Sequence, residues 1–173
     1  MASPASNKIQ ATKGSVRTSN FIAGLGQIDR ETDKVSDILL RGRARFADRK
    51  SIYLLTEEGI PMSAVLQYIS SVGMLRDQRI VVQIMGVSER TLARRLKQPD
   101  EPLNPEQSAR AVRFAQVLSK ATKVFGDAKA AEEWMIEPAM GLDWAKPVDL
   151  VINPVGFELV DDFLTRLEYG VYQ

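Results

Sequence analysis

Ser88-Glu-Arg-Thr-Leu-Ala-Arg-Arg-Leu-Lys97 is the stretch on which the fold of this chain turns. At about 100° per residue, Leu92, Ala93 and Leu96 fall on one arc of a helix; Arg90, Thr91, Arg94, Arg95 and Lys97 fall on the other. The Ser88 hydroxyl is placed to accept a free backbone N–H two or three residues on, so the helix is expected to start there. One side can then pack on a small core while the other presents cations. A helix entering the major groove needs that division, with Arg for base edges and Arg, Lys, Ser and Thr for phosphates. A solvated basic face on an ordinary surface helix has the same pattern, so the flanking sequence must decide.

Upstream, Pro61 suits a first helical turn, and Val65, Leu66 and Ile69 recur at helical spacing up to Gly73. A second helix is expected over about 75–85, with Ile80, Val81 and Ile84 inward. Gly86 then supplies a sharp turn into the cationic helix. Helix, short glycine-containing turn and cationic helix make a helix-turn-helix. Ser88, Arg90, Thr91, Arg94, Arg95 and Lys97 are its candidate DNA-binding residues. Glu89 at the helix start would repel phosphate or read cytosine, and no Asn or Gln precedes Gln98 to read adenine.

Before this unit, residues 29–56 look weakly helical. Arg41, Arg43, Arg45, Arg49 and Lys50 cluster there around Phe46, either as a non-specific phosphate contact or as a solvated face. Residues 1 to about 27 are too poor in apolar side chains to offset ordering entropy and are expected to form a mobile arm. Gly24-Leu-Gly26 lacks the spacing and preceding strand of a dinucleotide loop.

Downstream, two prolines within Gln98-Pro-Asp-Glu-Pro-Leu103 mark a turn and a domain boundary. Asn104 caps the next helix, Pro105 takes its first position and Gln107 stands at capping-box spacing. Ala111, Phe114, Leu118, Ala121 and Phe125 form its apolar stripe, opposed by Arg113, Gln116, Lys120 and Lys123. A short helix carrying Trp134, a Pro- and Gly-containing loop over 137–147 and one turn after Pro147 follow. Asn153-Pro154 opens the last helix, with Val155, Leu159, Val160, Phe163, Leu164 and Leu167 expected inward and Gly170 ending it. The chain is therefore expected to be all-α: an arm over 1–50, a helix-turn-helix domain over 51–100 and a small helical domain over 101–173.

Composition narrows the chemistry. Among 173 residues there is neither Cys nor His, which removes disulfides, thiol nucleophiles, imidazole catalysis and Cys/His zinc sites. Asp161 and Asp162 are adjacent on a helix and point about 100° apart, so they do not share a metal easily. No enzyme, metal or cofactor is expected. The net charge of +1 hides an asymmetry. Residues 1–56 hold ten Lys/Arg against five Asp/Glu, and residues 101–173 hold seven against twelve. A basic front and an acidic back imply two different partners, one of them polyanionic. No run approaches the ~20 apolar residues of a membrane span, and the start lacks a secretory pattern; a cytoplasmic location is expected.

The ordered series after residue 88 resembles a known family. Leu103-Asn-Pro-Glu-Gln-Ser108, Val124-Phe-Gly-Asp127, Ala131-Glu-Glu-Trp134, Gly141-Leu142, Lys146-Pro-Val-Asp-Leu150 and Leu164-Thr-Arg-Leu-Glu-Tyr-Gly-Val-Tyr172 are similar to the Xre/MbcA/ParS antitoxins, partners of RES-domain toxins. The resemblance covers about residues 55–173. It implies a Cro/repressor-like helix-turn-helix that binds the operator DNA of its own operon, then a small helical toxin-binding domain. It also implies homodimers within a larger complex, and a C-terminal end that occludes the active site of a toxin consuming NAD or transferring ADP-ribose. Arg166, Glu168, Tyr169, Gly170, Val171 and Tyr172 are the toxin-binding candidates on that basis. The alternative is a stand-alone helix-turn-helix transcription regulator whose C-terminal domain dimerises or senses a ligand.

Overall fold

The computed structural model describes residues 37–170. The expected mobile arm over 1–27, and the candidates Val171 and Tyr172, lie outside the described residues. The described chain is all-helical, as expected, with a single isolated antiparallel bridge between Pro61 and Pro102. A helical turn at 37–40 leads to α1 (Arg49–Glu58), α2 (Met62–Ser71), a 3-10 turn (Gly73–Arg76), α3 (Gln78–Met85) and α4 (Glu89–Arg95). Then come α5 (Pro105–Phe125), α6 (Ala128–Ile136), a 3-10 turn (Met140–Leu142), α7 (Pro147–Leu150) and α8 (Pro154–Glu168).

Most helix starts follow from side chains that satisfy free N–H groups. Asp48, Ser88, Asn104, Asp127 and Asn153 each accept a backbone N–H from the residue three positions on. Asn104 and Asn153 are each followed by proline at the first position, as their sequences predict. Gln107 does not complete a capping box; its Oε1 is buried without a partner among the described residues. The single helix expected over 75–85 is divided. Asp77 has extended backbone and accepts Arg79 N at 2.9 Å, so it ends the 3-10 turn and caps α3.

The core is continuous from the helix-turn-helix to the last helix. It includes Leu39 and Leu40, Val65, Ile84 and Leu92, then Phe114, Val117 and Ala121 of α5, then Met135, Val151, Val160 and Leu164. Leu39, Leu40 and Ala44 bring it into the stretch read as an arm. The 21-residue α5 is the shared spine: it packs on α1 and α3, and also on α6 and α8. Its polar face is not left to water. Lys120 Nζ donates to the Asp161 carbonyl oxygen at 2.9 Å, to Asp161 Oδ1 at 2.6 Å and to Thr165 Oγ1 at 2.6 Å, all on α8. Arg113 donates to the Ile152 carbonyl at 3.3 Å, and burial lowers its pKa from the ordinary arginine value.

The proline-containing segment after α4 is pinned down as well. Met62 N donates to Glu101 O, Ser63 N to Pro99 O and Leu103 N to Ile60 O. Buried Ser108 on α5 accepts Ile60 N at 3.0 Å. Gly59, at φ +93°, lies so close to Leu103 O that a Cβ would overlap it.

Candidate functional site

The first candidate surface is built on α3, the Gly86 turn and α4. Gly86 adopts φ +62°, ψ +39°, the left-handed conformation that lets the chain reverse after α3, and Val87 N closes the turn on Val82 O at 3.2 Å. The Arg110 guanidinium of α5 lies directly behind Gly86 and is held by Glu106 at 2.8 Å. This hydrogen bond also draws the Glu106 carboxyl below its usual pKa. Ser88 Oγ accepts Thr91 N at 3.2 Å and lies 2.9 Å from Thr91 Oγ1, fixing the start of α4. Leu92 anchors the helix at 3% exposure.

Of the sequence-predicted DNA residues, Ser88, Arg90, Arg94 and Lys97 are exposed and Thr91 is half-buried at the same helix start. Arg90, Arg94 and Lys97 form no ion pair among the described residues. Arg95 is separated from this set. Its side chain is only 13% exposed; Nη1 donates to Pro102 O at 3.0 Å and lies 3.8 Å from Glu101. Ala93, expected inward, is exposed.

The second candidate surface is the outer face of α8. Tyr169 closes the helix and is 75% exposed; Arg166, Glu168 and Gly170 are exposed beside it. Gly170 has φ +66° with open space where a Cβ would lie. Val155 and Leu159, expected inward, are instead 67% and 55% exposed. At 100° per residue Val155, Leu159, Asp162, Arg166 and Tyr169 share an arc of ~80°, opposite buried Val160 and Leu164. The signal was present in the sequence: the six apolar positions assigned inward spread over ~180°, wider than one core-facing stripe needs. The excess at the Val155–Leu159 edge is what remains uncovered.

Between residues 37–52, α5 and α8 runs a groove of about 1030 Å³ whose walls carry both signs, including Arg45, Arg49, Asp161 and Glu168. No group of three or more His, Cys, Asp or Glu side chains among the described residues is placed to hold a metal. No helix of the described residues is long and apolar enough to cross a membrane.

Comparison with known proteins divides the chain where the two surfaces do. Residues 52–116 match the antitoxin Xre-like helix-turn-helix domain, and residues 120–170 match the antitoxin Xre/MbcA/ParS C-terminal toxin-binding domain. The first match ends and the second begins within α5. A protein named antitoxin Xre from Yersinia enterocolitica serotype O:8 is 36% identical over 93 residues, covering 53% of this chain and 62% of that one. Another protein named antitoxin Xre, from Pseudomonas putida, is 30% identical over 81 residues, 47% of this chain and 50% of that one. The chain thus matches between half and two thirds of the length of these relatives. With a helix-turn-helix carrying an exposed cationic helix, an outer α8 face that leaves Val155, Leu159 and Tyr169 exposed, and both halves matched by models of one family in sequence order, the chain belongs to the Xre/MbcA/ParS antitoxins.

Proposed function

We propose that this chain is an antitoxin that binds a RES-domain toxin through the outer face and C-terminal end of α8. It blocks the toxin's NAD-consuming active site and, as a homodimer, represses its own operon through α4. The observation that carries this reading is the exposure of Tyr169, Val155 and Leu159 on one face of the last helix, inside the stretch matched to a toxin-binding domain. Exposed apolar side chains on one helix face, rimmed by charged residues such as Asp162 and Arg166, suit a protein interface. Tyr is among the residues that anchor interfaces, because it is large, stiff and able to hydrogen-bond. The exposed cations of α4 support the DNA half of the reading. Occlusion requires no chemistry from the antitoxin, in keeping with a chain that has no His or Cys.

The test is co-expression with a cognate RES-domain toxin, sought in the adjacent gene. The full chain is expected to restore growth and cellular NAD, whereas a chain lacking residues 170–173 is not. Normal growth and full NAD with the shortened chain would overturn occlusion by the C-terminal end.

A further inference from the structure

The loop between α6 and α7 is held more firmly than its length requires. Residues 139–145 close on themselves: Ala139 N donates to Ala145 O, Trp144 N to Ala139 O, and Leu142 N and Ala145 N are also satisfied within the loop. Its middle rests on α8. A Cβ on Gly141 would overlap the ring of Phe163, so only glycine lets this backbone lie against that ring. Phe163 in turn stacks on Trp134 at 6.1 Å and 8°, and Trp134 packs on Phe125 at 5.4 Å. On this pedestal two large apolar side chains face solvent, Met140 at 75% exposure and Trp144 at 68%.

The backbone that presents them is strained. Asp143 and Trp144 have φ +52° and +62°, two consecutive left-handed residues without a glycine. Asp tolerates that region; a tryptophan does so only against steric resistance. A buried indole would repay the strain by packing, but this one is mostly in water. Strain maintained at an exposed aromatic points to a contact outside the chain.

We propose that the 139–145 loop is a second toxin-docking element, inserting Trp144 and Met140 into an apolar recess of the toxin. The proposal rests on the toxin-binding reading above. The toxin is favoured over a second copy of this chain because the loop lies within the matched toxin-binding stretch, 120–170, and sits on α8 at Phe163, one helical turn after Leu159. A stiff, flexible-chain-free presentation limits the ordering needed on association, and Trp is the side chain most enriched at interface hot spots. The thioether of Met140 adapts to the shape of the recess beside it.

The experiment titrates the full chain and its variants against the purified toxin, with thermal melts of each variant. Trp144→Gly relieves the backbone strain, so its Tm is expected to stay within ~3 °C of the parent or rise. Its toxin affinity is expected to fall at least ~10-fold, whereas Trp144→Phe keeps most of it. Met140→Ala is expected to weaken binding to a smaller extent. Unchanged affinity in the Met140→Ala/Trp144→Gly pair, with Tyr169→Ala still weakened, overturns the loop while leaving the toxin-binding reading intact. A large drop in Tm for Trp144→Gly makes the indole structural and also overturns it. So does a loss of self-association without loss of toxin affinity. Failure of the unaltered chain to bind the toxin removes the reading beneath the proposal and the proposal with it.

Discussion

Gly156 sits in the first turn of α8, where a Cβ would overlap the carbonyl oxygen of Leu150 on α7. That oxygen belongs to backbone and has little room to yield. Gly156→Ala is therefore expected to destabilise the chain by about 1–3 kcal/mol, measured by chemical denaturation. Gly86 is tight for a different reason: its neighbour is the far end of Arg110, which can swing away, but its φ of +62° resists any L side chain. Lys120 shows how a residue's role depends on what lies across from it. By spacing it is a solvent-facing lysine of an amphipathic helix, and in the fold it is held by three oxygens of α8. Gln107 departs in the opposite sense, since its capping-box spacing was correct and its side chain turns elsewhere.

At the scale of elements, α4 and α8 carry the two surfaces, and each was only partly legible. The start of α4, its buried Leu92 and its exposed Arg90, Arg94 and Lys97 follow from periodicity and a serine cap, which act over a few residues. Arg95 does not. Its position on the helix wheel is polar, yet the segment after α4 folds back and offers it Pro102 O. The two kinds of arginine should behave differently. Loss of Arg90, Arg94 or Lys97 is expected to weaken operator binding and to reduce the salt slope of that binding by about one each if a phosphate is contacted; loss of a base contact costs about 1–3 kcal/mol. Arg95→Ala is expected to lower Tm and leave the salt slope unchanged. Gel shifts across a salt series, paired with melts, check both, and equal salt slopes for all four variants would remove the distinction. On α8, reading every apolar residue as core placed Val155 and Leu159 inside. Only Val160 and Leu164, with Phe163 and Leu167 at the margins, had a neighbouring helix to cover them.

For the whole molecule the decisive feature is that both halves share α5 and one core. Polar contacts reinforce the junction. Gln83 of α3 donates to Asp149 of α7 at 2.5 Å, and Glu132 of α6 accepts Gly73 N and Met74 N at the 3-10 turn before α3. The described part of the chain is accordingly expected to unfold in one transition, with equal calorimetric and van't Hoff enthalpies. A piece ending near residue 119 would lose the cover over Leu118 and Val117 and is expected to melt at lower temperature or fail to fold. Two well-separated transitions in calorimetry would show that the halves are independent.

Taken alone, the sequence determined the helical class, the helix starts at Ser88, Asn104 and Asn153, and the placing of a cationic helix after a glycine turn. These rest on caps, prolines and periodicities that operate within a turn or two of helix, so the information is local. The ordered motifs after residue 88 also determined the family. Tertiary structure alone decided which polar residues are paired and which apolar residues stay exposed: Arg95 and Lys120 held by oxygens from elsewhere in the chain, Val155, Leu159, Met140 and Trp144 left in water. Burial is a property of what packs against a face. For α8 the inner side has α5, α7 and the 139–145 loop, and no described residue covers the side that carries Val155, Leu159 and Tyr169.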